Sequence, residues 1–344
     1  MTRSKAKRIF RWLVLIGVIV GLTPGTWIRS PIPEANYDQI LTLTPLDVPD
    51  SNIGEVEVTG VWHLTSPNSL FGSYSSLLID DDGRFLSASD AGQLLRFPKP
   101  GADGDIRIET FAGRTVRRKK YIDIESLTRD PDTGRIWVGF EGSNTIERFD
   151  AALRDSDRVE PPQMEDWSSN SGPESMARLA DGRFIVVSEG YNDWGGIGFP
   201  GLLFPSDPVA GAEALEFTFK PPSGYRPVDM VQIPDGRALI LVRAVHFAPL
   251  PYFTAKIVLA DPAAIAEDTV WSGDVIGAIA PPIPSDNMEG LTFEENLDGS
   301  LTLWVISDDN GAGFLQRTLL MRLRWDPAQP TEKAPGNTER LSKP

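Results

Sequence analysis

The stretch ESMARLADGRFIVVSE, residues 174–189, is two short apolar runs separated by an Asp-Gly turn, with an acid at each end. An Asp-Gly pair between runs of β-branched and aromatic residues is a hairpin signal, because glycine supplies the positive φ of a tight turn. The pattern occurs four more times: SSLLIDDDGRFLSASD (75–90), ESLTRDPDTGRIWVGFE (125–141), VDMVQIPDGRALILVR (228–243) and EGLTFEENLDGSLTLWVISD (289–308). The turn glycines fall at 83, 134, 182, 236 and 299, at intervals of 51, 48, 54 and 63 residues. A period near fifty, each unit opening with a hairpin, marks four-stranded propeller blades. Tyr37 to Asp326 spans 290 residues, so the period predicts an all-β propeller of about six blades, five to seven being allowed. Residues 54–62 (GEVEVTGVW) and 318–325 (TLLMRLRW) read as strands, and either could complete a terminal blade and close the ring. No helix-length periodicity follows residue 30. A pair of β-sandwiches is the alternative architecture.

Composition agrees with a turn-rich globule. The chain has 344 residues, 41% of them hydrophobic, which is enough for a substantial core. Its 31 Gly and 29 Pro exceed the average share of about 12% without low complexity, which points to tight turns and not to disorder. Residues 1–29 carry Arg3, Lys5, Lys7, Arg8, Arg11 and Arg29 and no acid, within a chain of net charge −15. The remainder is therefore still more acidic, which excludes nucleic acid as a partner, since that affinity rests on neutralising phosphates. Absence of Cys excludes disulfides, thiolate metal sites and Cys nucleophiles. His63 and His246 are the only histidines, too few for a His-rich metal site.

The expected organisation is a targeting segment (1–30), a linker (31–50), the propeller (51–326) and a polar tail (327–344). Lys5 to Arg11 precede the apolar run Trp12–Leu22, the layout of an export signal. Eleven residues fall short of a membrane span, but extension to Ile28 nearly reaches one, and no clean A-x-A site follows. A cleaved signal and an uncleaved anchor both remain open. Either places the body outside the cytoplasm, periplasmic or anchored to the outer face of the inner membrane.

Residues equally far before and after a hairpin turn lie side by side at one edge. Glu174 and Glu189, Glu125 and Glu141, Glu289 and Asp308 (with Asp309 adjoining), and Asp90 opposite Ser75 hold such places. If each hairpin supplies the inner strands of its blade, these acids converge on one mouth of the central channel. Converging carboxylates need compensation, and Ca²⁺ prefers carboxylate and carbonyl oxygens. Solvated blade caps are the alternative. No EF-hand loop occurs.

Several segments resemble the phytase-like domain family, exported bacterial proteins described as having "esterase-like activity of phytase". They are F71-G-S-Y-S-S-L, S-A-S-D90-A-G, I-E125-S-L, G-F-E141, G-P-E174-S-M, S-E189-G, Y-R226-P-V-D229-M, L-V-R243, D286-N-M-E289-G-L and S-D308-D-N-G…Q316-R-T-L-L. The resemblance runs from about residue 50 to 326, and its last block is the most specific part. It implies a β-propeller, acidic metal-binding positions and hydrolysis of phosphate or other esters. Ser126, Ser175 and Ser73 depart from the family pattern, standing where glycine is frequent.

Among the other candidates, Arg243 stands where the other repeats place an acid, a cation suited to bidentate contact with phosphate oxygens. A salt bridge to Glu189 or Asp229 is its alternative. Arg226, Asn287 and Asn310 join it as candidate substrate contacts. No G-x-S-x-G elbow is present, and two histidines leave few bases for a Ser-His-Asp triad. His63 reads as structural, and His246 as a loop or core residue near the mouth. The basic run Arg117–Lys120 reads as a solvated loop or an anion contact, and Gly190–Gly201 as a loop at the same edge, with Trp194 and Phe199 for apolar contacts.

The resulting expectation is an exported, monomeric, Ca²⁺-dependent hydrolase acting on a small phosphate or other ester. Glu125 and Glu289 lead the metal set, which also includes Asp90, Glu141, Glu174, Glu189, Asp308 and Asp309. Glu174, Glu289 and Arg243 form the catalytic set. A non-catalytic propeller that binds a ligand or partner at the same mouth is the alternative.

Overall fold

The computed structural model describes residues 34–49, 51–113, 122–168, 171–190, 198–247, 251–311 and 316–328. The chain divides into Met1–Asn36 and Tyr37–Pro344, and the propeller lies in the second unit. The targeting segment, Arg117–Lys120, Trp194 and nearly all of the tail fall outside the described residues.

Strands β1 (Thr42–Pro45) and β2 (Glu57–Thr65) come first. Blade one follows with β3 (Leu78–Ile79), β4 (Phe85–Ala88), β5 (Gln93–Phe97) and β6 (Arg107–Thr110). Blade two has β7 (Ile124–Arg129), β8 (Ile136–Phe140), β9 (Thr145–Phe149) and β10 (Ser156–Val159). Blade three has β11 (Pro173–Arg178), β12 (Phe184–Ser188), β13 (Phe199–Phe204) and β14 (Leu215–Phe219). Blade four has β15 (Arg226–Gln232), β16 (Ala238–His246) and β17 (Tyr252–Ala260). Between β17 and the last strand of blade four, β18 (Val270–Trp271) pairs in parallel with β14. That last strand is β19 (Asp274–Ile279). Blade five has β20 (Asn287–Glu295), β21 (Leu301–Asp308) and β22 (Thr318–Trp325), completed by β2 and then β1.

The ring therefore has five blades and not six. Both strand-like terminal segments enter the same blade: β2 pairs antiparallel with β22, from Glu57↔Arg324 to Leu64↔Thr318. The surplus length went into this closure, the outer strand β1 and the long strands of blade four. Closure by an N-terminal strand fixes the ring by backbone hydrogen bonds, without a covalent staple.

The five turn glycines hold equivalent places between the first and second strand of each blade, with φ between +71° and +91°. Only glycine adopts that region without strain. The first strands are innermost, β11 lying between β7 and β15, and β20 beside β15.

Five apolar seams fill the spaces between blades. In β16, Leu239 and Leu241 pack towards blade five, while Ile240 and Val242 pack towards blade three. In β21, Leu303 and Val305 face blade four, and Trp304 and Ile306 face blade one. Strands covered on both faces read as continuous apolar runs, as in Phe184–Val187 and Ala238–Val242. Phe199, expected in a loop, begins β13 and is buried in the seam between blades three and four.

Candidate functional site at the acidic mouth

Each innermost strand from blade two to blade five carries a register shift at its first turn. The pairings jump between Ile124 and Ser126, Pro173 and Ser175, Pro227 and Asp229, and Met288 and Gly290. The extra residues are Glu125, Glu174, Val228 and Glu289. A bulge re-aims its side chain and ends regular pairing, which brings Glu125, Glu174 and Glu289 together at the mouth, while Val228 is buried in the seam between blades four and five. Ser75 holds the matching place in blade one, and its hydroxyl donates to the Ile124 carbonyl of blade two.

The second strands end opposite them. Glu141 N–H donates to Asp123 O at 2.9 Å, and Asp90 N–H to Ser73 O at 3.1 Å. Arg226 faces Arg243 and Asn287 faces Asp308. The mouth thus gathers the predicted acids, in two groups of different chemistry.

The first group is centred on blade two. Asp123, Glu125 and Glu141 each offer a carboxylate oxygen, all within 4.8 Å of one another. Burial drives the Glu125 carboxyl well above the usual range, with Glu141, Glu289, Asp123 and Asp90 adding repulsion. Glu174, 4% exposed, is raised in the same way by burial and by Glu125, Glu189 and Glu141, and it hydrogen-bonds Glu141. The donor set is all hard oxygen, with neither Cys nor His, and so fits Ca²⁺ better than zinc. Asp123 was missed in the sequence. Ungapped alignment of the repeats just before the bulge gives Ser73, Asp123, Gly172, Arg226 and Asn287, the signal that would have found it.

The second group surrounds Arg243. Its Nη1 donates to Asn287 Oδ1 at 2.7 Å and its Nη2 to Glu189 Oε1 at 3.3 Å. Its Nε lies 3.2 Å from Glu289 Oε1. Asn287 Nδ2 donates to Glu289 Oε1 at 2.8 Å and to Asp308 Oδ2 at 3.4 Å. Burial pushes the Glu289 carboxyl up to about 8 even though Arg243 opposes the shift. Asp308 is pushed up to about 7, chiefly by burial, with Asp90 and Asp309 adding repulsion. Burial disfavours the Arg243 cation, but Glu289, Glu189, Glu174 and Glu125 more than offset it and raise its pKa. Of the two acids expected as salt-bridge partners of Arg243, Glu189 is in contact with it. Asp229 instead accepts from the backbone N–H of Met230 and Leu291, joining blade four to blade five.

The remaining candidates lie at the rim. Arg226 is half exposed, with Nη1 3.6 Å from Glu189 Oε1. Asp309 Oδ1 accepts from the N–H of Ser73 and Gly311, both at 3.0 Å. Asn310, at φ +51°, caps Asp308 Oδ1 with its backbone N–H at 2.6 Å and turns its side chain to Gln316. Ser126 donates to the Pro173 carbonyl of blade three, so its hydroxyl links two blades. His246 stacks on Tyr252 at 4.7 Å and shares a hydrogen bond with Thr254.

A family model described as "Phytase-like: Esterase-like activity of phytase" matches residues 69–311. A search of curated proteins finds no match. Among solved structures, the endo-arabinase of Bacteroides thetaiotaomicron VPI-5482 is 10% identical at TM-score 0.46, covering 73% of this chain and 93% of its own. The calcium-binding protein regucalcin from Agrobacterium tumefaciens C58 is 14% identical at TM-score 0.42, covering 87% of this chain and 96% of its own.

Proposed function

The chain belongs to the phytase-like family, and from that premise we propose that it is a Ca²⁺-dependent hydrolase of phosphate or other esters, acting at the acidic mouth. The observation that carries this reading is the set Asp123, Glu125 and Glu141, whose carboxylate oxygens lie within 4.8 Å of one another, beside a half-buried arginine. These three residues would hold the ion, with Glu174 and Asp90 next to them. A bound Ca²⁺ supplies charge neutralisation and Lewis-acid polarisation of a phosphoryl or carbonyl oxygen.

The chain's own groups divide the rest of the work. Arg243 holds an anionic oxygen with the donors its two hydrogen bonds leave over. Asn287 and Glu189 fix the fork in place, so the contact is formed before substrate arrives. Glu289, with its carboxyl poised near neutrality, takes the proton of the attacking water. Glu174, raised above the usual carboxyl range by burial and by its acidic neighbours, is placed to give a proton to the leaving oxygen. Glu189 and Asp309, first expected as ligands, serve here as partners of arginine and backbone. The basic, then apolar, segment 1–30 supports export of residues 31–344 to the periplasm or the outer face of the inner membrane. Among the described residues, no helix is long and apolar enough to cross a membrane.

The test is turnover of chromogenic phosphate and carboxyl esters by the purified full chain. Turnover that needs Ca²⁺, stops on chelation and falls at least 100-fold in Glu289→Gln agrees with the proposal. Turnover indifferent to chelation overturns the metal role, and its absence for every ester favours a ligand-binding propeller.

A further inference from the structure

Among the described residues, blade four alone carries its second and third strands beyond the mouth. β16 and β17 remain paired past Arg243↔Ala255 through Ala244↔Thr254, Val245↔Phe253 and His246↔Tyr252. The second strands of the other blades stop at Ala88, Phe140, Ser188 and Asp308.

The two faces of this extension differ. Leu239 and Leu241 face blade five, so strand alternation puts Arg243 and Val245 on that same face. The Arg243 contacts with Asn287 and Glu289 of blade five agree. Phe253, directly opposite Val245, shares the face. The other face is furnished: His246 stacks on Tyr252, Thr254 bonds both His246 and Tyr225, and the Lys256 ammonium sits 4.2 Å over the Tyr225 ring. On the Arg243 face, Val245 is 44% exposed, and Phe247 just beyond is 75% exposed. Apolar side chains thus stand in water beside a mouth otherwise lined by charge.

We propose that Val245, Phe253 and Phe247 form a specificity wall, and that the substrate is an organic anion with an apolar part. Its anionic group sits on Arg243, and its alkyl or aryl group lies against Val245, about 7 Å further out by the rise of two strand residues. A polyphosphorylated polyol would set a second charge against this wall and bind less well. The inference rests on Arg243 holding the anion.

The test compares 2-naphthylphosphonate, which has no ester bond to hydrolyse, with inorganic phosphate, titrated by calorimetry into the Ca²⁺-supplemented full chain. Covering about 60 Å² of apolar surface corresponds to roughly tenfold tighter binding of the naphthylphosphonate. In Val245→Thr/Phe247→Ser that advantage disappears, while phosphate affinity stays within about twofold and the melting temperature is kept. Equal binding of the two probes, or an advantage that survives in the variant, overturns the wall and leaves the anion site standing. Failure of both probes to bind overturns the anion site and the wall with it. A wild-type dimer that the variant abolishes assigns the face to self-association instead, and also overturns the wall.

Discussion

Arg243 is a cation among buried acids, held by Asn287 on one side and by Glu189 and Glu289 on the others. Those contacts fit both a clamp and a structural bridge, and substitution separates the two. A charge-assisted hydrogen bond contributes about 1.5–3 kcal/mol, so Arg243→Ala is expected to weaken phosphate binding roughly 10- to 150-fold. Arg243→Lys keeps the charge without the fork and recovers only part of that affinity. Calorimetry alongside thermal melts is the check, and a lowered melting point with unchanged affinity would identify a purely structural bridge. The residue was legible in sequence because it broke the acidic pattern of the repeats. Asp123 was not, because its importance appears only when residues before the bulge are set side by side.

At the scale of the element, each blade is a sheet with two apolar faces, stitched to its neighbours by a few buried polar bonds. Asp229 is one such stitch, 2% exposed, accepting from Met230 N–H at 2.8 Å and Leu291 N–H at 2.6 Å. Asp229→Ala leaves both donors buried without an acceptor, a cost of about 2–4 kcal/mol. A fall of roughly 4–7 °C in melting temperature is expected, and a change below one degree would contradict the stitch. The hairpins were readable because Asp-Gly turns and apolar runs are local signals. The bulges were not, since a register shift depends on the partner strand. The blade count also failed for a non-local reason: β2 and β22, 263 residues apart at Thr59 and Arg322, meet only through ring closure. The assignment of Phe199 failed because the surrounding glycines suggested a loop, whereas Gly198 and Gly201 give neighbouring backbone and the Phe217 ring room to approach.

For the whole molecule, the mouth concentrates a cost that depends on pH. Glu289 and Asp308 have folded-state pKa values near 8 and 7, raised above their ordinary 4.5 and 3.8. The native state therefore binds more protons than the unfolded chain between about pH 4 and 8, and stability falls as pH rises through that window. Glu125 and Glu174 act in the same direction. Metal-free protein is expected to melt several degrees lower at pH 8 than at pH 5.5, and Ca²⁺ to narrow the difference. Melting curves across pH with chelator present check this, and stability that rises steadily to pH 8 would contradict the burial of these acids.

The central claim is that the acids of the mouth hold Ca²⁺, and thermal melting of the full chain with and without 1 mM Ca²⁺ tests it most directly. An ion bound by the native state alone at a hundred times its Kd contributes about 2.7 kcal/mol, roughly 5 °C here. Wild type and Glu267→Gln, altered at an exposed acid far from the repeat ends, are expected to show the full rise, and Glu125→Gln little of it. An unchanged wild-type melting temperature, or a rise undiminished in Glu125→Gln, would contradict the account.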